Sequence, residues 1–293
     1  MAAVDISVTP DAGEGKFAVL RKLLFGKVST TIAFITVLLF CILAIFAPWI
    51  APYDPLKQSF LSINKYPSLQ YWLGTDQFGR DVLSRLIHGS RTSLLFGLIA
   101  PACAAVIGTT LGVLAGFFGG LIDRIVSKMI DLMMAFPELL LAIIVSAALG
   151  GGFWNVVLVL TIAFVPGFAR VARASTLAVR QEPYIEASMA IGVKTPVIIF
   201  RHVVPNIAAP IVLLWTLWIA SAIRLEAALS FLGIGTQPPA ASWGNIIREG
   251  LGNVFGSPWP IIGAGLAITT IVLSINLIGD AARDMLDPNS SER

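Results

Sequence analysis

Few residues in this sequence have the types and spacing that metal or nucleophilic chemistry requires. There are two histidines, His88 and His202, and two cysteines, Cys41 and Cys103, and both cysteines lie within apolar stretches. None of the four belongs to a His-Glu-x-x-His or Cys-x-x-Cys motif, the spacings that bring two metal ligands together. The sequence therefore predicts no metal site and no catalytic residue, and we do not expect the chain to be an enzyme.

A nucleotide-binding loop is not predicted either. The glycine-lysine pairs that end at Lys16 and Lys27 are followed by Phe17 and Val28. A phosphate-binding loop has serine or threonine at that position, where the hydroxyl binds Mg²⁺. We expect no cofactor in this chain, so the energy for any uphill process must come from a partner chain or from an ion gradient.

Charged residues inside apolar stretches are the remaining candidates. Glu138 lies seven residues after Asp131, which places both on one face of a single helix, and Arg224 and Glu226 share a later stretch. Residues two apart on a helix point away from each other, so Arg224 and Glu226 are not each other's partner. A charge facing lipid is costly. Glu138, Arg224 and Glu226 are therefore predicted either to line a translocation path or to pair between helices, and both alternatives stay open.

The elements that position these residues follow from composition. Of 293 residues, 56% are hydrophobic and 13% are charged, and the mean hydropathy is +0.84. Soluble domains have roughly 25% charged residues. The apolar residues form blocks about as long as the roughly 20 residues that cross a bilayer. The sequence predicts an all-α membrane protein in contact with lipid. Its net charge of +3 comes from scattered basic residues, so no nucleic acid partner is expected.

Six transmembrane helices are predicted by a hydropathy window of about 19 residues. They lie at 29–50, 92–117, 129–149, 153–169, 207–232 and 261–282. Six spans put both termini on one side. With both termini in the cytoplasm, the inner segments hold thirteen Lys and Arg and the outer segments six, as the positive-inside rule favours. The fourth span is the weakest, because Pro166 interrupts it, and a membrane hairpin is the alternative there.

The chain divides accordingly. We predict a cytoplasmic segment at 1–28, the first transmembrane helix at 29–50, an extracytoplasmic segment at 51–90, a core at 91–283 and a cytoplasmic tail at 284–293.

Gly108, Gly112, Gly116 and Gly120 recur every four residues. This spacing places them on one face of the second span, where small residues let another backbone approach closely. It predicts the central packing seam of a helix bundle. Incidental enrichment is the alternative, because glycine is common in membrane helices.

The connector between the fourth and fifth spans, residues 170–206, is long for a compact bundle. Loops of this length usually have a function. Pro183 suits a helix start, Glu186 suits the positive first turn, and Gly192 is a natural stop. The pattern predicts a short helix outside the membrane.

A second helical segment is predicted to start at Pro196. We expect it to carry Val197 to Phe200 towards the membrane and to be broken by Pro205 before the fifth span. Taken alone, the connector is also compatible with an amphipathic element at the membrane surface.

The spacing in this connector resembles the "EAA" signature of ABC importer permeases, written Glu-Ala-Ala, three residues, Gly, nine residues, Ile, one residue, Leu-Pro. The matching positions are Glu186, Ala187, Gly192 and Pro205, and the chain departs from the signature at Ser188, His202 and Val204. Arg201-His202 followed by Pro205-Asn206 is similar to the branch that imports peptides.

Three further stretches are similar to the dipeptide and oligopeptide permeases of the DppC/OppC type. They are Leu73–Leu94, Ala228–Pro239 with Ser242–Gly244, and Asn276–Asp280 with Arg283–Pro288. Four motifs in order make chance similarity improbable. The resemblance implies the type I ABC importer permease fold, with the ABC transmembrane core at 91–283. Arg224 stands where an apolar residue is expected, so its role does not carry over.

The partners that the resemblance implies are a homologous second permease forming a heterodimer, two cytoplasmic ATPase subunits or domains that bind ATP and Mg²⁺, and an extracytoplasmic peptide-binding protein. The helix from Glu186 to Gly192 would then dock in a groove of an ATPase. Glu186 would anchor it electrostatically, Ala187 and Ser188 would keep the contact slim, and Gly192 would permit the turn. Arg201 and Pro205 complete the implied set of coupling residues.

Two outer segments, residues 51–88 and 237–260, are the expected docking surfaces for the binding protein, with simple connectors as the alternative. Tyr71, Trp72, Trp243 and Trp259 are predicted to be interfacial anchors.

The function predicted is import of di- or oligopeptides across the cytoplasmic membrane by a permease subunit that partner ATPases drive. Related systems that import nickel or other small solutes share these motifs and form the first alternative. An ion-coupled carrier or channel acting alone is the second. The scarcity of ionisable groups at membrane depth and the long connector argue against it.

Overall fold

The computed structural model describes residues 27–286, and its regular secondary structure is helical. The helices are α1 (Val28–Ile45), α2 (Ala47–Ile50), α3 (Val82–Phe118), α4 (Gly120–Met134), α5 (Glu138–Leu149), α6 (Phe153–Arg180), α7 (Pro183–Ala190), α8 (Thr195–Ile198), α9 (Val204–Phe231), α10 (Trp243–Leu251) and α11 (Trp259–Leu286), with a 3-10 turn at Phe60–Ser62 and a π turn at Ile199–Val203. The predicted segment 1–28, apart from its last two residues, and most of the tail 284–293 lie outside the described residues.

Six crossings form a bundle. Helices α1, α3, α6 and α11 and the stack Thr195–Phe231 are each long and apolar enough to span a membrane, and α4 with α5 supply a sixth crossing together. The prediction of an all-α protein with six spans is confirmed. We call the end that carries α7 and α8 the loop end, and the end that carries residues 51–81 and α10 the far end. Both ends of the described chain meet at the loop end, where Lys27 Nζ lies 2.9 Å from Asp284 Oδ2.

Helix α3 is the centre of the bundle and contacts α1, α4, α6, α9, α10 and α11. Its 37 residues measure about 55 Å at 1.5 Å per residue, so it extends beyond a hydrocarbon layer of about 30 Å. It begins at Val82, inside the segment 51–90 that we predicted to lie outside the membrane. The Asp81 carboxylate caps this start by accepting a hydrogen bond from the Ser84 backbone N–H at 2.7 Å.

The third crossing differs from the straight span predicted at 129–149. Helix α4 ends at Met134, α5 begins at Glu138, and their axes differ by 93°. Pro137 has no N–H to continue a helix and disfavours the helical conformation of Phe136, so the chain bends there. Asp131 and Glu138 therefore lie on two different helices, and the prediction that they share one face is wrong.

The fourth crossing is more continuous and more deeply buried than its sequence indicates. Helix α6 runs without a break from Phe153 to Arg180, with Pro166 inside it, and no other crossing is as deeply buried in the bundle. Neighbouring helices cover the turn that Pro166 weakens, which is how membrane helices tolerate proline. The hairpin alternative is not what the structure contains.

Pro205 does not break the chain before the fifth span. The π turn at Ile199–Val203 joins α8 to α9 as one stack, and the Val204 N–H donates to the Ile199 carbonyl, five residues back. The wider turn leaves room for the proline ring, which would otherwise meet the carbonyl of the residue four positions earlier. The structure therefore contains a continuous helical stack from Thr195 to Phe231 in place of the predicted break.

The glycine face packs α3 against α6. A Cβ atom added at Gly108 would lie 2.6 Å from the Phe168 Cβ, one at Gly112 would lie 2.6 Å from the Ala172 Cβ, and one at Gly116 would lie 2.8 Å from the Arg173 carbonyl oxygen. The two backbones are therefore in direct contact over three turns. Gly120 lies beyond α3 in open space with φ +57°, so it is not part of this seam.

Adding one methyl group to the seam is expected to weaken the bundle. Gly112→Ala forces α3 and α6 apart and should cost about 1–3 kcal/mol, as overpacking does. Thermal denaturation of the purified protein measures this loss. Gly265→Ala is the matched control, because Gly265 is helical and has no atom within 4 Å of an added Cβ. Equal thermal stabilities of the two variants would contradict the seam.

Candidate functional site

Helix α7 is a short helix at the loop end with free space around its exit. Pro183 occupies its first turn, Glu186 lies in the same positive turn, and Gly192 follows with φ +83°. A left-handed φ of this size favours glycine. No atom lies within 4 Å of where a Gly192 Cβ would be. The backbone conformation of this turn therefore favours glycine, and the surface beside it is open.

One buried side chain fixes α7 to the bundle. Ile185 is fully buried in a cluster of apolar residues that we call the loop-end cluster. Its buried members are Val113, Phe117, Ala172, Ile185, Ile198, Val203 and Ile207. The cluster combines residues of α3, α6, α7, α8 and α9 and so packs α7 tightly against all of these helices.

A polar contact joins α7 to the start of α9. The Asn206 amide donates to the Tyr184 hydroxyl at 3.1 Å and to the His202 carbonyl at 2.6 Å, and the Tyr184 and His202 rings lie 6.1 Å apart. His202 and Asn206 belong to the ending that resembles peptide importers. In this structure they hold the short helix against the long one.

The outer face of the connector is exposed and partly apolar. Ile191 is 80% exposed and Phe200 is 75% exposed, and Tyr184, Met189 and Val197 are also exposed. The implied coupling residues Glu186, Ala187, Gly192, Arg201 and Pro205 are exposed on the same connector, whereas Ser188 is half-buried and donates its hydroxyl to the Tyr184 carbonyl at 2.7 Å. The structure thus brings five of the six into solvent beside a set of exposed apolar side chains.

Ion pairs brace the loop end on its other side. Arg173 of α6 forms a two-pronged pair with Asp123 of α4, in which Nη2 lies 2.8 Å from Oδ2, and Arg170 lies 3.3 Å from Asp131. The Arg180 guanidinium lies 5.8 Å from the centre of the Phe117 ring. The two ion pairs connect α6 to α4, and the Arg180 contact connects α6 to α3.

A buried charge network holds the far end together. Arg85 Nη1 lies 2.7 Å from Asp76 Oδ2 and 3.0 Å from Glu249 Oε2, and Arg80 pairs with the same two carboxylates. Two guanidinium groups and two carboxylates balance within the network. Asp76, Arg80 and Arg85 lie in the stretch that resembles peptide permeases. Their partner Glu249 lies on α10. Because Glu249 is far from these residues in the sequence, no sequence pattern predicted the pairing.

Glu226 is the centre of a second polar cluster. Its side chain is 0% exposed and accepts hydrogen bonds from Ser230 Oγ at 2.7 Å, Thr236 Oγ1 at 3.2 Å and Ser93 Oγ at 3.4 Å. No ion pair to Glu226 forms within residues 27–286. The structure therefore places Glu226 neither on an open path nor in an interhelical ion pair. It ties α9 to α3 and to the segment before α10.

Trp243 is not an interfacial anchor, contrary to the prediction. It is fully buried, its indole N–H donates to the Leu86 carbonyl at 3.1 Å, and its ring meets Phe40 edge to face at 5.5 Å. A buried indole needs an acceptor, and the backbone of α3 supplies one. Trp72 is exposed, Tyr71 is partly exposed and Trp259 is half-buried.

Glu138 and Arg224 have different surroundings from Glu226. Both are exposed, and Glu138 lines a cavity of about 210 Å³ together with Pro166 and Trp218. Arg224 lies on the neighbouring helix α9. Its guanidinium also donates to Ser221 Oγ at 3.0 Å. Among the residues described, no cluster of three His, Cys, Asp or Glu could hold a metal ion.

Two family descriptions match the sequence. Residues 108–292 match the binding-protein-dependent transport system inner membrane component, and residues 29–67 match the N-terminal TM domain of oligopeptide transport permease C.

Relatives match over most of the chain. A dipeptide transport system permease protein, DppC, of Alkalihalophilus pseudofirmus is 40% identical over 85% of this chain and 82% of its own length. A putative peptide transport system permease protein of Brucella suis is 39% identical over 95% and 94%. A glutathione transport system permease protein, GsiD, of Escherichia coli is 42% identical over 86% and 84%.

The fold is also that of a solved transporter. A chain of the MetNI methionine ABC transporter in an inward-facing conformation superposes with a TM-score of 0.56 at 19% identity, over 69% of this chain and 96% of that one. The likeness concerns the fold alone and agrees with the type I ABC importer permease fold.

Removing the buried anchor of α7 is expected to free the connector. Ile185→Ala leaves a cavity in the loop-end cluster, and buried isoleucine-to-alanine changes cost about 2–5 kcal/mol. Hydrogen exchange of residues 183–203 should become faster. Ile191→Ala removes the same side chain from an exposed position and should leave exchange unchanged. If both variants exchange at the same rate, Ile185 does not anchor the helix.

Proposed function

Because the chain belongs to the family of binding-protein-dependent transport system inner membrane components, we propose that it is the permease subunit of an ATP-driven importer of di- or oligopeptides. It is a membrane-embedded transport subunit. The family implies ATPase and binding-protein partners.

The observation that carries the proposal is the rigidly mounted, exposed helix α7. A fully buried anchor, a polar contact to the next helix and a left-handed glycine at its exit hold α7 in one orientation. Together they make α7 a body that moves as a unit with α3, α6 and α9. Its exposed neighbours Ile191 and Phe200 offer apolar area to a partner, and Glu186 offers a charge.

The mechanism that we propose is mechanical coupling. Each of two ATPase subunits receives a short permease helix in a groove, and the closure of the ATPase dimer around ATP and Mg²⁺ displaces α7. The loop-end cluster transmits this displacement into α3, α6 and α9, because packed cores shift between discrete arrangements rather than deforming continuously. Glu186, Ala187, Ser188 and Gly192 form the contact itself, and Arg201 and Pro205 form its border.

The remaining partners occupy other faces. A homologous second permease completes a heterodimer and covers apolar faces of the bundle that are exposed in the single chain. The binding protein docks at the far end on residues 51–88 and 237–260. The buried network of Asp76, Arg80, Arg85 and Glu249 supports this surface by holding both segments in one shape.

The orientation follows from this assignment. ATPases are cytoplasmic, so the loop end faces the cytoplasm and both termini lie on that side of the cytoplasmic membrane. The excess of basic residues in the predicted inner segments agrees with this orientation.

Peptides are the cargo that we propose, because the similar proteins are a dipeptide permease, a putative peptide permease and a permease for the tripeptide glutathione. Nickel or another small solute is the alternative within the family. An ion-coupled carrier or channel acting alone would not need the α7 surface.

Uptake by proteoliposomes containing the complete transporter tests the assignment. We expect peptide uptake that requires the ATPase subunits and the binding protein and that vanadate abolishes. Uptake by this chain without ATPase subunits would refute the importer. ATP-dependent uptake of nickel and not of peptides would leave the importer but replace its cargo.

Backbone strain at Gly192 is expected to uncouple ATP hydrolysis by the partner ATPases from peptide uptake through the helix bundle. Gly192→Leu places a side chain at φ +83°, which costs about 1–2 kcal/mol and shifts the turn after α7. Peptide uptake should fall about tenfold while ATP hydrolysis persists, within the usual range of coupling energies. The matched control is Gly150→Leu, because Gly150 has φ +77° and equally open space at the far end. Unchanged coupling in the Gly192 variant would refute the role of this turn.

A further inference from the structure

Two opposite charges on membrane-crossing elements, those of Glu138 and Arg224, take part in no ion pair within residues 27–286. Glu138 opens α5 immediately after the bend of the third crossing, and Arg224 lies in the far half of α9. Other charged side chains of the described chain have partners. Glu226 accepts hydrogen bonds in its hydroxyl cluster, Asp123 pairs with Arg173, and Asp76 pairs with Arg80 and Arg85.

Placing either charge against lipid would cost free energy. An exposed carboxylate or guanidinium within the hydrocarbon layer is expensive unless it faces water or a polar partner. Both side chains are exposed in the single chain, so the face that carries them borders either a wet space or another molecule. The cavity beside Glu138 lies between the bend, α6 and α9 and has Met133, Pro166 and Trp218 in its wall.

The two groups lie on helices that contact each other, α5 and α9, but they do not close into a salt bridge. No ion pair with an N–O distance of 4.0 Å or less joins them in the described part of the chain. A pair whose purpose is to hold two helices together would be in contact, as Arg173 and Asp123 are. An open pair leaves both charges available to a third group.

A peptide is such a third group, because at neutral pH it carries an ammonium at one end and a carboxylate at the other. Resting on the proposed function, we propose that Glu138 and Arg224 read the termini of a peptide in transit, with Glu138 receiving the ammonium and Arg224 the carboxylate. They are specificity-determining residues of the path. Each contact is one charge-assisted hydrogen bond or two in a partly wet site, so the peptide is oriented and still released.

Peptides with one blocked end test the assignment of each residue. Proteoliposomes with the complete transporter would be given one tripeptide in three forms: with free termini, N-acetylated and C-amidated. The ratio of the variant's uptake rate to that of the natural chain is taken for each form. The binding protein and the ATPases are the same in both measurements, so their own selectivity cancels in this ratio.

The expected pattern is specific to the end that is blocked. Glu138→Gln should slow uptake of the free and C-amidated peptides about tenfold, the value of one charge-assisted hydrogen bond, and should leave the ratio for the N-acetylated peptide near one. Arg224→Gln should slow the free and N-acetylated peptides and spare the C-amidated one. Asp131→Asn is the control, because that carboxylate faces Arg170 at the loop end, and its ratios should be equal for all three forms.

A charge swap separates reading from pairing. If Glu138 and Arg224 only pair with each other, the double variant Glu138→Arg with Arg224→Glu restores uptake of the free peptide, and this overturns the proposal. Equal ratios for all three peptides in both single variants overturn it as well, while the importer itself stands. Absence of any vanadate-sensitive peptide uptake by the natural chain instead refutes the proposed function.

Discussion

Three glycines, each one turn after the last, let the backbone of α3 lie directly on the backbone of α6. Membrane helices gain little from burying apolar side chains against each other, because lipid is equally apolar, so close backbone packing must supply much of their association. This contact joins two long helices of the bundle. α3 reaches from its capping residue Asp81 at the far end to Phe117 at the loop end, and α6 ends at Arg180 just before α7. Helix α7 at the loop end and the segments at the far end are therefore both attached to the same pair of helices, α3 and α6.

The two ends of this pair are stabilised by different physics. At the loop end, an apolar cluster around Ile185 joins five elements, so α7 is held by shape and can shift with the helices below it. At the far end, Asp76, Arg80, Arg85 and Glu249 form a buried network whose charges balance. Breaking such a network leaves an uncompensated buried charge, so the far end holds one geometry. The proposed docking of the ATPases at the loop end and of the binding protein at the far end agrees with this division between the two ends.

Charges within the bundle separate in the same way according to their partners. Glu226 is enclosed by hydroxyl groups and binds the segment before α10 to α3 and α9. Glu138 lines the cavity beside the bend that Pro137 creates, and Arg224 is exposed on the neighbouring helix α9. The bend itself provides the polar, irregular backbone that membrane proteins tolerate only where it is buried in protein or lines a wet space. An irregular crossing and an exposed carboxylate therefore occur together.

Composition and hydropathy determined the all-α class and the six crossings, because a bilayer demands apolar runs of fixed length. Local residue chemistry determined the short helix from Pro183 and the turn at Gly192, since proline and glycine act on the backbone where they stand. Sequence alone misjudged Pro137 and Pro205: one proline bends its crossing and the other is absorbed by a π turn, and the difference depends on the surrounding packing. It also could not tell Glu226 from Glu138, nor a buried Trp243 from an interfacial one. Those distinctions depend on Ser93, which contacts Glu226, and on Leu86, which contacts Trp243; both are far away in the chain, and only the tertiary structure brings them to these side chains.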